Sequence, residues 1–291
     1  MRTTAGDGAL AVRIQPPERP AGRFREWGLN GITVALVALW LFPIYWLILT
    51  SFKPTEEIDR AVPVFIFRPT LENYGDLFAR FNFFHILQNS LVITCVTTVA
   101  VIAAGLLAAY ALARMRVPGG KHIALWILSL RFIPTIAVGI PFYLMWQRLN
   151  LLDTYAGLIL VYVAFNLPFA IWLLRGFLVE LPLDLDEAAT MDGLSRFQIV
   201  RRIILPVALP GVAATAIFTF VFTWNEYLMA LLLTAVRSTT VPVTVSKFIM
   251  AYAILWGDVS AAAVIELVPM LIIVFLLQRH IVRGITLGAV K

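Results

Sequence analysis

An all-α, polytopic membrane protein with six transmembrane helices is the fold class predicted by three observations. Of the 291 residues, 60% are apolar by type and 14% are charged, where a soluble domain carries about 45–50% and roughly 25%. The mean hydropathy is +0.87. The apolar residues also gather into six runs, each near the roughly 20 residues that a helix rising about 1.5 Å per residue needs to cross the hydrocarbon core.

The first run, Leu29 to Leu49, follows 28 polar residues that contain Pro and Arg. It is too long for the apolar core of a signal peptide and no small-residue cleavage site follows it, so it is expected to stay as an anchor. Residues 1–28 read as a cytoplasmic arm too polar to pack, and residues 29–86 as the first span with an external loop. That loop, Thr50 to Ile86, carries Glu56, Glu57, Asp59, Glu72 and Asp76, a composition that makes it solvated, and reads as a structured cap or docking loop.

Residues 87–280 hold the core of five further spans, and residues 281–291 form a cytoplasmic tail. Leu87 to Ala113 includes Thr94, Thr97 and Thr98, whose hydroxyls can bond back to helix carbonyls. Ile123 to Trp146 contains Arg131, Pro134 and Pro141, and Tyr155 to Leu174 contains Asn166 and Pro168. The prolines remove backbone donors and are expected to bend these helices, either for a gated core or as tolerated kinks facing lipid. The last two runs are Val212 to Thr234, with Trp224, Asn225 and Glu226, and Ser260 to Leu277, with Glu266.

The net charge of +6 is dispersed between the runs and not gathered into one stripe, which argues against a nucleic-acid partner and for membrane orientation. Alternate connections collect 15 Lys and Arg on the side of the termini against 7 on the other, with Arg131 inside a span. The positive-inside rule then places both termini in the cytoplasm of a multi-pass protein of the cytoplasmic membrane. The lone Cys95 excludes an intramolecular disulfide framework, and His85, His122 and His280 have no metal-ligand spacing. There is no phosphate-binding loop, nucleophile elbow or spaced catalytic constellation, so the chain reads as a non-enzyme without a cofactor of its own.

The longest cytoplasmic connection, Arg175 to Gly211, has the punctuation of two helices. Asp184 with Glu187, and Ser195 with Gln198, have the spacing of capping boxes. Gly193 stands where a left-handed residue would end the first helix after about two turns. The second helix is expected to run to about Leu205, with Ile199, Val200, Ile203 and Ile204 on one face and Arg196, Arg201 and Arg202 largely on another. The first, with adjacent Ala188 and Ala189, suits either a groove on a partner protein or the lipid interface; its acids, Asp186, Glu187 and Asp192, sit poorly beside an anionic leaflet.

EAATMDGLSRFQIVRRIILPVALPG resembles the EAA signature of ATP-binding-cassette importer permeases, with Glu187, Ala188, Ala189, Gly193, Ile204, Leu205 and Pro206 at the signature positions in residues 184–211. FPIYWLILTSFKP, ENYGDLF, QNSLVIT, ARMRVPGGK, FTWNEYLMALLLT, WGDVSAAAVI and QRHIVRGITLGAVK extend the likeness over about residues 30 to 291, toward the carbohydrate-uptake, maltose-permease G-type branch. The resemblance implies a type I importer permease fold with a cytoplasmic coupling helix between spans four and five. It also implies a second permease subunit, two ATPase subunits that use ATP and Mg, and an external sugar-binding protein. By the same likeness Glu187, Ala188, Ala189, Asp192 and Gly193 would contact the ATPase.

Polar groups inside spans are costly and face a cavity or a partner. Asn166, Trp224, Asn225 and Glu226 are candidates for a hydrophilic pathway in which carboxylate and amide groups meet sugar hydroxyls and an aromatic face stacks on the ring. Their alternative is helix-to-helix bonding without substrate contact. A permease for polyol or glycerol-phosphate would share this architecture, and an ion-driven secondary carrier would instead show symmetry between its halves, of which the sequence has none.

Overall fold

The computed structural model describes residues 22–60, 62–250 and 255–288. The expected arm, residues 1–28, falls outside the described residues as far as position 21, as do the last three residues of the tail. Helices are the only regular elements among the described residues. In chain order they are α1 (Gly22–Ser51), α2 (Thr55–Ile58), α3 (Glu72–Phe81), α4 (Phe83–Arg114), α5 (Gly120–Ser129), α6 (Thr135–Arg148), α7 (Tyr155–Glu180) and α8 (Asp184–Met191). There follow α9 (Arg196–Ile199), α10 (Leu205–Val207), α11 (Leu209–Trp224), α12 (Leu228–Leu233), α13 (Val241–Met250) and α14 (Trp256–Gly288).

Among the described residues four helices are long and apolar enough to cross a membrane outright, Trp27–Ser51 of α1, α4, α7 and Trp256–Gln278 of α14, and up to six candidates result if each of two bent pairs, Gly120–Phe132 with Thr135–Arg148 and Arg196–Val207 with Leu209–Trp224, counts as one. The chain divides into two compact units, Met1–Trp46 and Leu47–Lys291. In the first, α1 runs through Pro43, the Thr33 hydroxyl donates to the Leu29 carbonyl and Phe42 stacks on Trp46.

In the second unit α4, α7 and α11 pack on one another, α5 lies on α7 and α14 lies on α11. The core falls into three clusters. One joins the end of α4 (Leu106, Ala109, Tyr110) to Leu174 and Leu178 of α7 and to Ala189, Ile199 and Ile204 of the following loop. Another gathers Ile93, Trp146, Leu158, Tyr162 and Met229, and the third Leu77, Phe83, Phe248 and Ala261. Close approach has a local cause at Gly157, where a Cβ would stand 2.2 Å from the Leu151 carbonyl and 2.9 Å from the Trp146 indole nitrogen. The Trp146 N–H donates to the Gly157 carbonyl, which fixes the α6–α7 turn.

Two expected spans are not straight. The run Ile123–Trp146 is two helices, Gly120–Phe132 and Thr135–Arg148, bent by 87°. Pro134 forces Ile133 into an extended conformation (φ −65°, ψ 122°) and stops the first helix there. Pro141 and Pro168, in contrast, lie inside α6 and α7 without a break. The run Val212–Thr234 is interrupted between Trp224 and Leu228. Side chains there compete with the backbone ladder: Asn225 donates back to the Val221 carbonyl and the Glu226 carboxylate accepts from the N–H groups of Met229 and Ala230.

The acidic loop after α1 is structured. The Asn73 amide donates to the carbonyls of Ser51 and Lys53, and the Thr70 N–H donates to the Phe52 carbonyl.

The α6–α7 turn is clamped to the segment after α12. Asp153, in a left-handed conformation (φ 52°), accepts from the backbone N–H groups of Ala235, Val236, Arg237 and Ser238 at 3.0–3.1 Å and from the Ser238 hydroxyl. These donors hold the Asp153 carboxyl well below the usual carboxylate range, against the opposing effect of its partial burial. A depressed folded-state pKa makes the contribution fully present above about pH 4 and lets it drain away as pH falls below that. Asp153→Asn is therefore expected to lower stability by about 1–3 kcal/mol at pH 7. The gap from wild type, followed by thermal unfolding in detergent, should narrow in acid; a gap independent of pH would contradict the clamp.

Candidate functional site

The connection between α7 and α11 folds as the helix pair expected from its spacing, with shifted edges. The first turn of α8 is capped by Leu183, whose carbonyl accepts from Asp186 and Glu187. Asp184 stands just inside the helix and makes no capping bond, so the expected Asp184–Glu187 box is absent. Its place is electrostatic, because Asp184, Asp186 and Glu187 all sit in the first turn, where the helix dipole favours anions. The second box forms as expected: Ser195 accepts from the Gln198 N–H while the Gln198 side chain accepts from the Ser195 N–H. Gly193 ends α8 with φ +77°, a conformation that costs a residue with a Cβ about 1–2 kcal/mol.

The second helix runs beyond the expected Leu205, from Arg196 to Val207, and passes through a π segment at Val200–Ile204. It then meets α11 at 84°. Ile199, Val200 and Ile204 are buried and Ile203 packs against their cluster, while Arg196, Arg201 and Arg202 are exposed.

α8 has two distinct sides. Ala189 is buried in the cluster shared with α4 and α7, so this member of the EAA triplet is committed to the chain's own core. Asp186 is buried beside it. Glu187, Ala188, Asp192 and Gly193 are exposed, and Met191 is 89% exposed, a large apolar side chain projecting beyond the fold.

Asp186 is held by the last two turns of α4. The Tyr110 hydroxyl donates to its carboxylate at 2.7 Å, and the Arg114 Nε lies 3.5 Å from the other carboxylate oxygen. Arg114 also donates through Nη2 to the Leu181 carbonyl at 2.9 Å. The Arg114 and Asp186 side chains are 2% and 9% exposed, so losing one member leaves a buried charge without its partner. A cleft of about 700 Å³ opens beside this pair, lined by Arg114, Arg116, Glu187, Met191 and Arg196 among others. The sequence marks Asp186 only as one of the acids of this helix, and neither Tyr110 nor Arg114 stands out in it as its partner. The signal lay in a Tyr and an Arg four residues apart at the end of a span, and in an acid three residues before the inward alanine.

The pathway candidates are spread over different environments. Asn166 is buried, donates to the Tyr162 carbonyl and the Thr223 hydroxyl, and keeps its carbonyl oxygen without a protein partner. Trp224 is 2% exposed, stacks on Phe220 at 5.7 Å and donates from its indole to the Glu266 carbonyl at 3.1 Å. Glu226 is half-buried and caps α12, while Asn225 alone of the four is exposed. Arg131 sits in the turn between α5 and α6, donates to the Phe165 carbonyl and lies 5.0 Å over the Phe222 ring. No group of three or more His, Cys, Asp or Glu able to hold a metal occurs among the described residues.

The family described as binding-protein-dependent transport system inner membrane component matches residues 100–287. The chain is 43% identical over 265 residues to the probable ABC transporter permease protein y4oR of Sinorhizobium fredii, covering 91% of this chain and 95% of that one. It is 36% identical to the trehalose transport system permease protein SugB of Mycobacterium tuberculosis, over 93% and 99% of the two chains. It is also 36% identical to the trehalose/maltose transport system permease protein MalG of Thermococcus litoralis, over 90% and 95%. A crystal structure of a bacterial ABC transporter involved in the import of the acidic polysaccharide alginate superposes with a TM-score of 0.72 at 21% identity, over 91% of this chain and 99% of that one.

The indole bond of Trp224 gives a simple test of its buried placement. Trp224→Phe is expected to lower the thermal midpoint in detergent through a loss of about 1 kcal/mol for the missing donor. Equal midpoints for Trp224→Phe and wild type would contradict it.

Proposed function

We propose that this chain, which belongs to the binding-protein-dependent transport system inner membrane components and is a sugar-type ABC transporter permease subunit, forms half of a translocation pathway driven by ATPase subunits that grip α8. The observation that carries this reading is the division of α8 into two sides. Its buried side, Asp186 and Ala189, belongs to the chain's own core, while Glu187, Ala188, Met191 and Asp192 are exposed. A protruding methionine flanked by acids suits a groove on a partner better than an anionic lipid surface.

The second half of the pathway comes from another permease subunit, and an external binding protein delivers the solute. ATP and Mg are bound by the partner ATPases, since this sequence carries no phosphate-binding loop. Both termini lie in the cytoplasm, a reading supported by the excess of Lys and Arg on their side. Closure of the ATPase pair draws α8 inward and turns the pathway outward; hydrolysis resets it. The solute is a di- or oligosaccharide, a class supported by relatives named for trehalose and maltose. Along the pathway, exposure favours Asn225 as the residue that meets the solute, and the burial of Asn166 and Trp224 supports packing roles for them.

Glu187→Lys and Met191→Asp are each expected to reduce co-purification of the ATPase with the tagged permease by about tenfold or more at equal expression. Retention of the ATPase by both variants would sink the docking reading. For the pathway, Asn225→Ala should raise the half-saturating sugar concentration with assembly intact. If uptake affinity and selectivity stay unchanged, Asn225 does not line the route. Uptake of a polyol or glycerol-phosphate in preference to sugars would overturn the solute class alone.

A further inference from the structure

We infer that α4 is the rod that carries movement of α8 across the membrane, locked to α8 by Tyr110, Arg114 and Asp186 at one end and to the segment 237–241 by Asn89 and Ser90 at the other. This rests on the reading of α8 as the ATPase-contacting helix.

α8 has only eight residues, too few for a helix to be stable alone. It is tied to its neighbours along the chain by short links, Leu181–Leu183 and Asp192–Ser195. Burial of Ala189 resists pulling α8 off the bundle, but apolar contact is non-directional and offers little resistance to sliding or rotation. The polar contacts supply the missing direction. Tyr110 and Arg114 lie four residues apart on one face of α4, and together they hold Asp186 in the first turn of α8 and the Leu181 carbonyl at the end of α7. Any sliding of α8 along α4 would strand a buried carboxylate or guanidinium. α8 and α4 therefore move together.

α4 is suited to passing this movement on. It has 32 residues, about 48 Å at the helical rise. α1, α7 and α14 each contain an internal proline, and α4 contains none. At its far end the Asn89 amide donates to the carbonyls of Arg237 and Thr239. Its oxygen accepts from the Tyr155 hydroxyl, and the Ser90 hydroxyl accepts from the Val241 N–H at 2.8 Å. Asn89 and Ser90 are themselves buried. The segment they grip is the one clamped by Asp153, so it answers to α4 and the α6–α7 turn and has little freedom of its own.

The test uses the complete importer, with its ATPases and loaded binding protein, in proteoliposomes, and reads sugar molecules transported per ATP hydrolysed. Tyr110→Phe removes a single oxygen, and Asp186→Asn removes the charge. Each is expected to keep the ATPase bound at the wild-type level and to lower the transport-to-ATP ratio about threefold or more. The double variant should be no worse than the worse single, because both break the same link. Asn89→Ala should lower the same ratio from the far end. A wild-type ratio in Tyr110→Phe with full assembly overturns the inference, and so does loss of the ATPase, which would make the cluster part of the docking surface. Glu187→Lys and Met191→Asp run in parallel separate the two readings: if both still bind the ATPase, the docking role of α8 fails whatever the lock variants do.

Discussion

A buried carboxylate must find its partners inside the protein, and for Asp186 these are the hydroxyl of Tyr110 and the guanidinium of Arg114. That requirement fixes the rotation of α8 about its axis. With Asp186 and Ala189 turned inward, Glu187, Ala188 and Met191 are left facing away from the bundle. The composition of the EAA stretch thus sorts by physical task. Small Ala189 lets α8 lie close on α4 and α7, Asp186 sets its orientation, and the remaining residues form a surface exposed among the described residues. A hydrophobic replacement of the charged pair would hold α8 at least as tightly but would not specify one rotation, and the presented surface depends on that rotation.

The interior of the bundle obeys a second constraint, that backbone groups shielded from water must be satisfied wherever a helix is interrupted. Each break has its own remedy. At the Pro134 elbow the Ile133 N–H returns to the Leu130 carbonyl, and Arg131 ties the turn to α7 and α11 through the Phe165 carbonyl and the Phe222 ring. Between α11 and α12, Glu226 accepts two N–H groups and Asn225 returns to a carbonyl of the preceding turn. These polar residues serve the discontinuities of the fold, and this limits how many of their polar atoms are free to meet a solute.

Much of this could be read in the sequence because its signals are local. Apolar run length located the helices, the Ser195–Gln198 spacing gave a working capping box and Gly193 marked a left-handed stop. Residue type in the loop gave the buried and exposed faces of the helix after Ser195. Less local features escaped. The apolar content of Ile123–Trp146 and Val212–Thr234 is that of a straight span, but Pro134 and the Asn225–Glu226 pair redirect the backbone, and hydropathy does not register direction. Trp224 and Glu226 have the chemistry of a sugar site, yet their hydrogen bonds are taken by Glu266 and α12. The Tyr110–Arg114–Asp186 cluster joins residues up to 76 positions apart, and only tertiary packing brings them together.

Protection of the exposed face of α8 on assembly is the most direct measure of whether that face is the site of ATPase engagement. With Cys95 replaced by Ser, Met191→Cys would be labelled with a membrane-impermeant maleimide applied to each face of the membrane in turn, in membranes containing the chain with and without its ATPase subunits. Rapid labelling of the unassembled chain and about tenfold or greater protection once the ATPase is bound are expected. Equal labelling in both states, with the ATPase shown to be stably associated, would contradict the assignment of α8 as the coupling element.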